Sequence, residues 1–350
     1  SGLCKYLEQV KEAAEAMAAE GKPHPTPFEV ETAVAFLYFL DKKCDIVVLE
    51  TGLGGALDAT NVVKTTVAAV FASISMDHMA ILGDTLEKIA LVKAGIMKDR
   101  CYVVTARQDP AVAKILKQAA LLRKCKLYTA DAERAKQVYY GVTKQRFTYA
   151  GYKNLEISML GKFQIENAVV AVETIQVLAK AGFPVKEEAL RRGLLLTGWP
   201  GRFSVIGKKP LFIADGAHNE DASRRLAESL QFYFAEKKMI FILGMLKDKE
   251  YEKVINNTCN MAEHIITVTP PIRKRAMPAY ELAQAVRECN GNVTVADSVP
   301  EAVEIAYLLA SREKDAVIVA FGSLSYLGEL MKVVEHRDTI RRDDHGIERI

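Results

Sequence analysis

Residues Asp45 to Asn61 read Asp-Ile-Val-Val-Leu-Glu-Thr-Gly-Leu-Gly-Gly-Ala-Leu-Asp-Ala-Thr-Asn. Ile46 to Leu49 is a run rich in β-branched residues with no polar alternation, the pattern of a strand buried on both faces of a parallel sheet. The run ends at Glu50 and leads into glycines. We therefore expect a carboxylate at the carboxyl end of a central strand, where open α/β sheets bind their ligands. A metal ion, a cationic residue or a proton would each be a suitable partner for this buried charge.

Polar residues also follow the next predicted strand. Thr66 to Ile74 is a second run without polar alternation, and it leads into Ser-Met-Asp-His, which ends at His78. If the two strands are neighbours, Glu50 and His78 lie close enough to share a metal ion. A simple ion pair between the two strand ends is the alternative.

A helix is predicted after the second strand. Asp84 followed three residues later by Glu87 resembles a capping box, with Asp84 as the N-cap of a helix that runs to about Lys98. Lys93 lies in this helix, and from the residues alone it reads as a solvated lysine.

Composition excludes several classes of protein. The 350 residues exceed one ordinary hydrophobic core and predict two domains. A net charge of +3 is too small to indicate a nucleic-acid surface, and we find no bilayer-spanning run or signal peptide, so we expect a cytoplasmic protein. Six cysteines without a Cys-x-x-Cys pair disfavour disulfide frameworks and thiolate zinc sites. Leu57 replaces the third glycine of the dinucleotide fingerprint, which disfavours a nicotinamide-dependent oxidoreductase.

The order of predicted elements indicates two α/β domains. Residues 137–159 have short alternating segments that predict a small antiparallel sheet. Clustered glycine and proline in residues 197–202 mark a linker, after which strands and helices alternate from Leu211 onward as in a doubly wound domain. We predict a first domain over residues 1–197, a second over 198–336, and a charged, frayed tail over 337–350.

Seven motifs in a fixed order resemble the folylpolyglutamate synthase and dihydrofolate synthase family of the Mur ligase superfamily. The resemblance implies two doubly wound α/β domains, a P-loop NTPase-like Mur ligase central domain and a Rossmann-like Mur ligase C-terminal domain. It also implies a ligase that uses ATP and Mg²⁺ to add L-glutamate to folate or dihydropteroate through an acyl phosphate, in folate biosynthesis. The motifs are Glu50-Thr-Gly-Leu-Gly-Gly-Ala-Leu-Asp-Ala-Thr-Asn61, Ser75-Met-Asp-His78, Lys93-Ala-Gly-Ile96, Phe163-Gln-Ile-Glu-Asn-Ala168, Trp199-Pro-Gly-Arg202, Asp215-Gly-Ala-His-Asn219 and Gly322-Ser-Leu324.

The resemblance assigns roles to five residues of the first domain. It implies that Glu50 and His78 bind Mg²⁺ and that Lys93 is carbamylated and helps to hold a second Mg²⁺. It places Asp58 and Ala59 against the folate or pteroate substrate. The residues themselves leave another possibility open for Asp58, which could simply cap a turn through its side chain.

The resemblance assigns the second set of ligands to ATP and glutamate. Asp215 or Asn219 could instead only cap a helix, Arg202 could be a surface residue, and Ser323 could merely begin the last helix. Among these residues, His218 and Arg202, together with Lys93, are the expected catalytic residues. The implied contacts are Gln164 and Asn167 with adenine, Arg202, Asp215 and His218 with phosphate, and His218 and Ser323 with glutamate. Gln164 or Asn167 could instead be an ordinary exposed helix residue.

One departure from the family concerns its phosphate-binding loop. The family begins with a Gly-Lys-Ser type loop, and these 350 residues contain no such motif, so they resemble a family member without its first strand and loop. We therefore expect the 350 residues alone to fold in the second domain and not to ligate; a catalytically inactive nucleotide- or folate-binding module is the alternative function. Small-molecule substrates, no nucleic acid, no membrane and a monomer are the other expectations.

Overall fold

The computed structural model describes residues 2–272 and 274–346. Its residues divide into two compact units, the first built from residues 1–130 and 176–183, the second from 131–175 and 184–350. Within the described ranges, no helix is long and apolar enough to cross a membrane.

The first unit has a small parallel sheet with helices around it. Its strand order is β1-β2-β3, with Ala68 opposite Tyr102 and Tyr102 opposite Lys126. The core of this unit lies between the sheet and helices α4 and α5, where Ile89 and Leu116 are completely buried. Its elements are α1 (Gly2–Ala19), α2 (Pro27–Asp41), a 3-10 turn (Ala59–Val62), β1 (Ala68–Phe71), α3 (Met79–Leu82), α4 (Leu86–Ala94), β2 (Tyr102–Ala106), α5 (Pro110–Leu122) and β3 (Lys126–Ala130).

The predicted central strand before Glu50 is wrong for this structure. Residues 46–50 form no strand, and Val48 is 93% exposed. A β-branched run becomes a strand only where a neighbouring strand pairs with its backbone N–H and C=O groups. Among the described strands, β1 pairs with β2 and with no strand on its other side.

The predicted capping residue of α4 is also wrong. Thr85 is the N-cap, and its hydroxyl accepts a hydrogen bond from the Lys88 N–H at 3.3 Å. Asp84 instead pairs with the Lys88 ammonium at 2.7 Å. Aspartate and threonine are both good N-caps, so the sequence pattern left the helix start uncertain by one residue.

The second unit begins with the predicted antiparallel sheet. Three strands in the order β4-β5-β6 form it, and the long helix α6 follows, whose last residues belong to the first unit. Alternate residues of β5 point inward, so Gln145, Phe147 and Tyr149 are all buried. The elements are β4 (Lys136–Tyr140), β5 (Gln145–Tyr149), β6 (Tyr152–Ile157), α6 (Phe163–Lys180) and α7 (Glu187–Leu196).

A six-stranded sheet forms the rest of the second unit and confirms the doubly wound prediction. Its order is β11-β10-β9-β12-β8-β7, parallel except for β7, an edge strand that the sequence analysis did not predict. Helices α8, α9 and α10 cover one face, and α11 and α12 cover the other. The elements are β7 (Ser204–Lys208), β8 (Leu211–Ala214), α8 (Glu220–Phe234), β9 (Met239–Leu243), α9 (Tyr251–Thr258), β10 (His264–Thr267), α10 (Ala279–Arg287), β11 (Val293–Val295), α11 (Val299–Ala310), β12 (Val317–Phe321) and α12 (Leu324–Gly346).

The predicted frayed tail lies partly in the last helix. Residues 337–346 continue α12, so the described part of the tail is helical, and its fraying stays a prediction. The charged composition of this stretch does not prevent a helix, since arginine, which occurs three times in residues 337–346, is a good helix former.

Candidate functional site

The glycine segment of the first unit lies against the end of α4. Gly54 has a left-handed φ of 74°, and a Cβ atom on it would lie 3.0 Å from the Val92 side chain. A Cβ atom on Gly55 would lie 2.9 Å from the carbonyl oxygen of Lys93. The Ala56 N–H donates to the Val92 carbonyl at 3.0 Å. Only glycine allows this close approach, which brings the first motif and the Lys93 motif together.

Asn61 connects the same two motifs by hydrogen bonds at the other end of the segment. Its amide nitrogen donates to the carbonyl oxygens of Ala56 and Gly95, each at 3.1 Å. The Lys98 ammonium donates to the Asn61 carbonyl at 3.0 Å. The sequence analysis assigned Asn61 no role, because its partner Gly95 lies 34 residues away in the chain.

Asp58 is buried at the centre of this segment, with 9% of its surface exposed. One carboxylate oxygen accepts the Leu53 N–H at 2.8 Å, and the other accepts the N–H and hydroxyl of Thr60 at 3.0 and 2.6 Å. Burial acts to raise the pKa of Asp58, but the hydrogen bonds from Thr60, Leu53 and Gly52 outweigh it and lower the pKa. The possibility that Asp58 caps a turn is therefore confirmed; its contact with folate stays a prediction.

The residues predicted to bind Mg²⁺ lie on exposed or half-buried positions. Glu50 is exposed, and His78 adopts a left-handed φ of 50° as the N-cap of α3, with Nε2 at 3.9 Å from Asp77 Oδ1. Lys93 is half-buried in the last turn of α4. Within residues 2–272 and 274–346, no three His, Cys, Asp or Glu residues cluster around one point. The metal and carbamate roles remain predictions.

Two distant motifs meet at the carboxyl edge of the six-stranded sheet. Strands β8 and β12 are paired neighbours, with Ala214 opposite Ala320, and the Asp215 N–H donates to the Ala320 carbonyl at 2.9 Å. Asp215 and Ser323 therefore both follow strands that end at the same edge. This is the edge at which doubly wound sheets bind ligands.

Asp215 is an internal anchor of this edge. One carboxylate oxygen accepts the Phe203 N–H at 2.7 Å, and the other accepts the Ala217 N–H at 2.8 Å. Burial raises the pKa of Asp215 to about 6, although both hydrogen bonds and the positive charge of Arg202 act in the opposite direction. The contact of Asp215 with ATP stays a prediction. The two hydrogen bonds show that Asp215 also has a structural role, since it holds the backbone at Phe203 and Ala217.

The free energy of unfolding is expected to fall as the pH rises from about 4 to about 6. In this interval Asp215 ionises in the unfolded chain, while the folded chain retains the proton. A rise in the pKa of Asp215 from 3.8 to about 6 corresponds to a loss of about 3 kcal/mol in the free energy of unfolding. Chemical denaturation at pH 4 and pH 7 tests this, with Asp215→Asn as the variant that cannot ionise. Parallel pH profiles for the two proteins would contradict it.

Arg202 lies in a linker that is hydrogen-bonded to the Asp215 loop. The Ser204 hydroxyl accepts the N–H groups of Gly201 and Arg202 at 3.0 and 3.3 Å, and the Gly216 N–H donates to the Gly201 carbonyl at 2.7 Å. The Arg202 side chain is exposed, so its guanidinium is accessible to an anion. The sequence analysis missed Ser204, which sets the conformation of this linker.

His218 and Asn219 follow in the same loop. His218 Nδ1 lies 2.7 Å from the Gly216 carbonyl oxygen; because a carbonyl only accepts, Nδ1 carries the proton and Nε2 is the basic nitrogen of the neutral ring. The Asn219 side chain accepts the Ala222 N–H at 2.9 Å and is the N-cap of α8. The capping role considered for Asn219 is therefore confirmed.

The predicted adenine contacts lie in the first turn and a half of α6. Gln164 is buried and Asn167 is exposed, and the Asn167 amide donates to Gln164 Oε1 at 3.0 Å. Ser323 is buried directly before α12, and its hydroxyl accepts the Ser325 N–H at 3.3 Å. Ser323 thus acts at the start of the last helix, and its contact with glutamate is untested.

Comparison with known proteins shows the family of the chain. The Mur ligase middle domain matches residues 4–175, and the Mur ligase glutamate ligase domain matches residues 201–324. The chain is 32% identical over 337 residues to the dihydrofolate synthase/folylpolyglutamate synthase of Bacillus subtilis (strain 168), covering 93% of this chain and 76% of that protein. It is 34% identical over 260 residues to the folylpolyglutamate synthase of Lacticaseibacillus casei, covering 72% of this chain and 60% of that protein.

A solved structure extends the likeness to three dimensions. The folylpolyglutamate synthase of Mycobacterium tuberculosis, complexed with ADP and AMPPCP, superimposes with a TM-score of 0.86 at 25% identity, covering 95% of this chain and 78% of that one. Both Mur ligase domains and the motif-bearing strand ends are present in one chain. The chain therefore belongs to the folylpolyglutamate synthase/dihydrofolate synthase family of Mur ligases.

Proposed function

We propose that this chain is the ligase that adds L-glutamate to folate or dihydropteroate at the expense of ATP. The observation that carries the proposal is the meeting of the Asp215–Asn219 and Gly322–Leu324 motifs at one sheet edge, in a chain that matches both Mur ligase domains. The curated relatives that it matches are named for these two synthase activities.

The reaction consists of two transfers. The γ-phosphoryl group of ATP moves to a carboxylate oxygen of the folate or pteroate, which gives ADP and an acyl phosphate. The amino group of glutamate then attacks the acyl carbon, an amide bond forms, and inorganic phosphate leaves with the electrons of the broken C–O bond. No side-chain nucleophile is needed, so the protein has to position the substrates and neutralise negative charge.

The second unit offers donors for the phosphates. The N-terminus of α8, capped by Asn219, carries a partial positive charge, and the exposed Arg202 side chain presents forked N–H donors beside Asp215. His218 lies in the same loop as the helix start. We propose that Arg202, Asp215 and His218 serve the phosphates, with Ser323 and His218 toward glutamate. The nucleotide complexes of the Mycobacterium tuberculosis relative support ATP as the co-substrate.

The first unit would supply the folate and metal sites. We propose that Asp58 and Ala59 contact the folate or pteroate, and that Glu50, His78 and a carbamylated Lys93 hold Mg²⁺. Mg²⁺ usually takes one or two carboxylates together with substrate phosphates and water; Glu50 and the carbamate would be such ligands, and the imidazole nitrogen of His78 is a less usual one. When bound, the ion would neutralise charge on the transferring phosphoryl group.

The organisation of the protein is proposed on the same basis. The two matches, over residues 4–175 and 201–324, support a division into the proposed domains 1–197 and 198–336. We also propose a cytoplasmic monomer, in keeping with the small-molecule substrates.

A His218→Ala variant is expected to lower turnover about tenfold, the effect of losing one hydrogen bond to a charged group. Thermal unfolding is expected to be nearly unchanged, since His218 is only half-buried. ADP release with ATP, Mg²⁺, glutamate and dihydropteroate or tetrahydrofolate measures the first in a version with the upstream phosphate-loop segment restored, with the exposed His336→Ala as the control. Wild-type binding of ATP and folate without ADP release would favour a binding module instead, and loss of soluble His218→Ala protein would make His218 structural.

A further inference from the structure

A completely buried glutamine lies beneath the start of α6. Gln145 is at the beginning of β5 and has no exposed surface. Its side-chain nitrogen donates to the carbonyl oxygens of Met159 and Gly161, at 2.8 and 3.0 Å. Both carbonyls belong to the turn between β6 and α6. A single side chain therefore fixes two backbone groups of the turn from which this helix begins.

A second side chain completes the contact from α8. The Tyr233 hydroxyl donates to Gln145 Oε1 at 3.2 Å, so each polar atom of the buried amide has a partner. Burial raises the pKa of Tyr233 to about 12, and a hydrogen bond from the Gly161 N–H acts in the opposite direction. Gly161 is thus held at its N–H by Tyr233 and at its carbonyl by Gln145.

The loop at Gly161, between β6 and α6, determines the orientation of the first helical turn of α6. Gly161 has a left-handed φ of 98°, and its carbonyl also accepts the Gln164 N–H at 3.1 Å. The Gln164 side chain in turn accepts the Asn167 amide at 3.0 Å. On the adjacent position of the helix, Glu166 pairs with Arg225 of α8 at 3.0 Å. A chain of hydrogen bonds therefore runs from Gln145 to Asn167.

We propose that Gln145 is a positioning residue for the nucleotide: through the Gly161 turn it orients α6 so that Gln164 and Asn167 can present their amides to the adenine of ATP. This inference rests on the proposed ATP-dependent function and on the adenine contacts that the family resemblance implies for these two residues. An amide carries both donors and an acceptor, which matches the mixed edge of an adenine base. Because Gln145 is buried, its effect on the nucleotide is indirect.

The test substitutes Gln145→Met, which keeps the side-chain length and removes every hydrogen bond of the amide. Tyr233→Phe is the milder variant, which removes only the hydroxyl. Gln137→Met is the matched control, since Gln137 is an exposed glutamine of the neighbouring strand β4. The readouts are the Kd for AMPPCP, backbone hydrogen exchange of residues 161–168, and the separate KM values for ATP and glutamate, all in a version with the upstream phosphate-loop segment restored.

We expect Gln145→Met to raise the Kd for AMPPCP and the KM for ATP about tenfold, and Tyr233→Phe about threefold. The KM for glutamate and the Gln137→Met variant are expected to stay within twofold of the wild type, while residues 161–168 exchange faster in both network variants. Should Gln145→Met fail to fold, Tyr233→Phe decides the question by the same measurements. Parallel increases in both KM values would show a merely structural role and overturn the inference.

Failure of the inference can be told apart from failure of the proposed function. If Asn167→Ala weakens AMPPCP binding and the two network variants leave it unchanged, the positioning role is wrong and ATP binding by α6 stands. If the wild type does not bind AMPPCP, the proposed function fails, and the inference fails with it.

Discussion

An Asp58→Ala variant is expected to have a free energy of unfolding about 4 kcal/mol below that of the wild type. The Asp58 carboxylate accepts the N–H groups of Leu53 and Thr60 inside the glycine segment, and alanine would leave the half-buried Leu53 donor and the buried Thr60 donor without this partner. Each buried donor that loses its acceptor costs about 2 kcal/mol. The loss is expected to be concentrated in the first unit, where this segment lies against α4.

Denaturant unfolding measures this loss, and Asp58→Asn provides a graded comparison. Asparagine keeps one acceptor oxygen, so about half of the loss is expected. The wild-type advantage is fully present above the ordinary aspartate pKa of about 4 and is lost as the pH falls through the lower pKa of folded Asp58. A change below about 1 kcal/mol for Asp58→Ala would mean that the segment does not depend on this carboxylate.

The sequence predicted the second unit better than the first. Each predicted parallel strand there became a strand, because runs such as Met239–Leu243 find paired strands on both sides and helices on both faces. Ile46–Leu49 is just as apolar and forms no strand, since no described strand pairs with it. Composition indicates what a segment can form, and its neighbours decide whether it does so.

The candidate site was predictable where it consists of short motifs and not where it depends on distant contacts. The glycines beside α4 and the Asn219 cap follow local rules of backbone and helix chemistry. The role of Ser204 could not be predicted from the sequence, because it depends on the conformation of the linker before this residue. A usable signal existed for Gln145: the period-two pattern of β5 places it on the same face as the buried Phe147 and Tyr149.

A Lys93→Ala variant is expected to lose turnover by a factor of about 10² or more, the usual effect of removing one electrostatic group from a transition state. Lys93 lies in the last turn of α4, where a positive ammonium is favourable and a negative carbamate is not, because the helix end carries a partial negative charge. A carbamate at this position therefore needs a nearby cation, and the proposed Mg²⁺ would provide it.

Two measurements separate the carbamate from an ordinary lysine in this position. In a version with the upstream phosphate-loop segment restored, steady-state turnover of Lys93→Ala is compared with that of Lys88→Ala, an exposed lysine of the same helix, which is expected to retain wild-type turnover. Added formate or acetate is expected to restore part of the activity of Lys93→Ala, since a small carboxylate can replace the missing carbamate. Labelling of the wild type by isotopically enriched carbon dioxide is expected to depend on Mg²⁺. Full turnover of Lys93→Ala without added carboxylate would show that Lys93 is an ordinary half-buried lysine, and the second metal site would then have to be built from other residues.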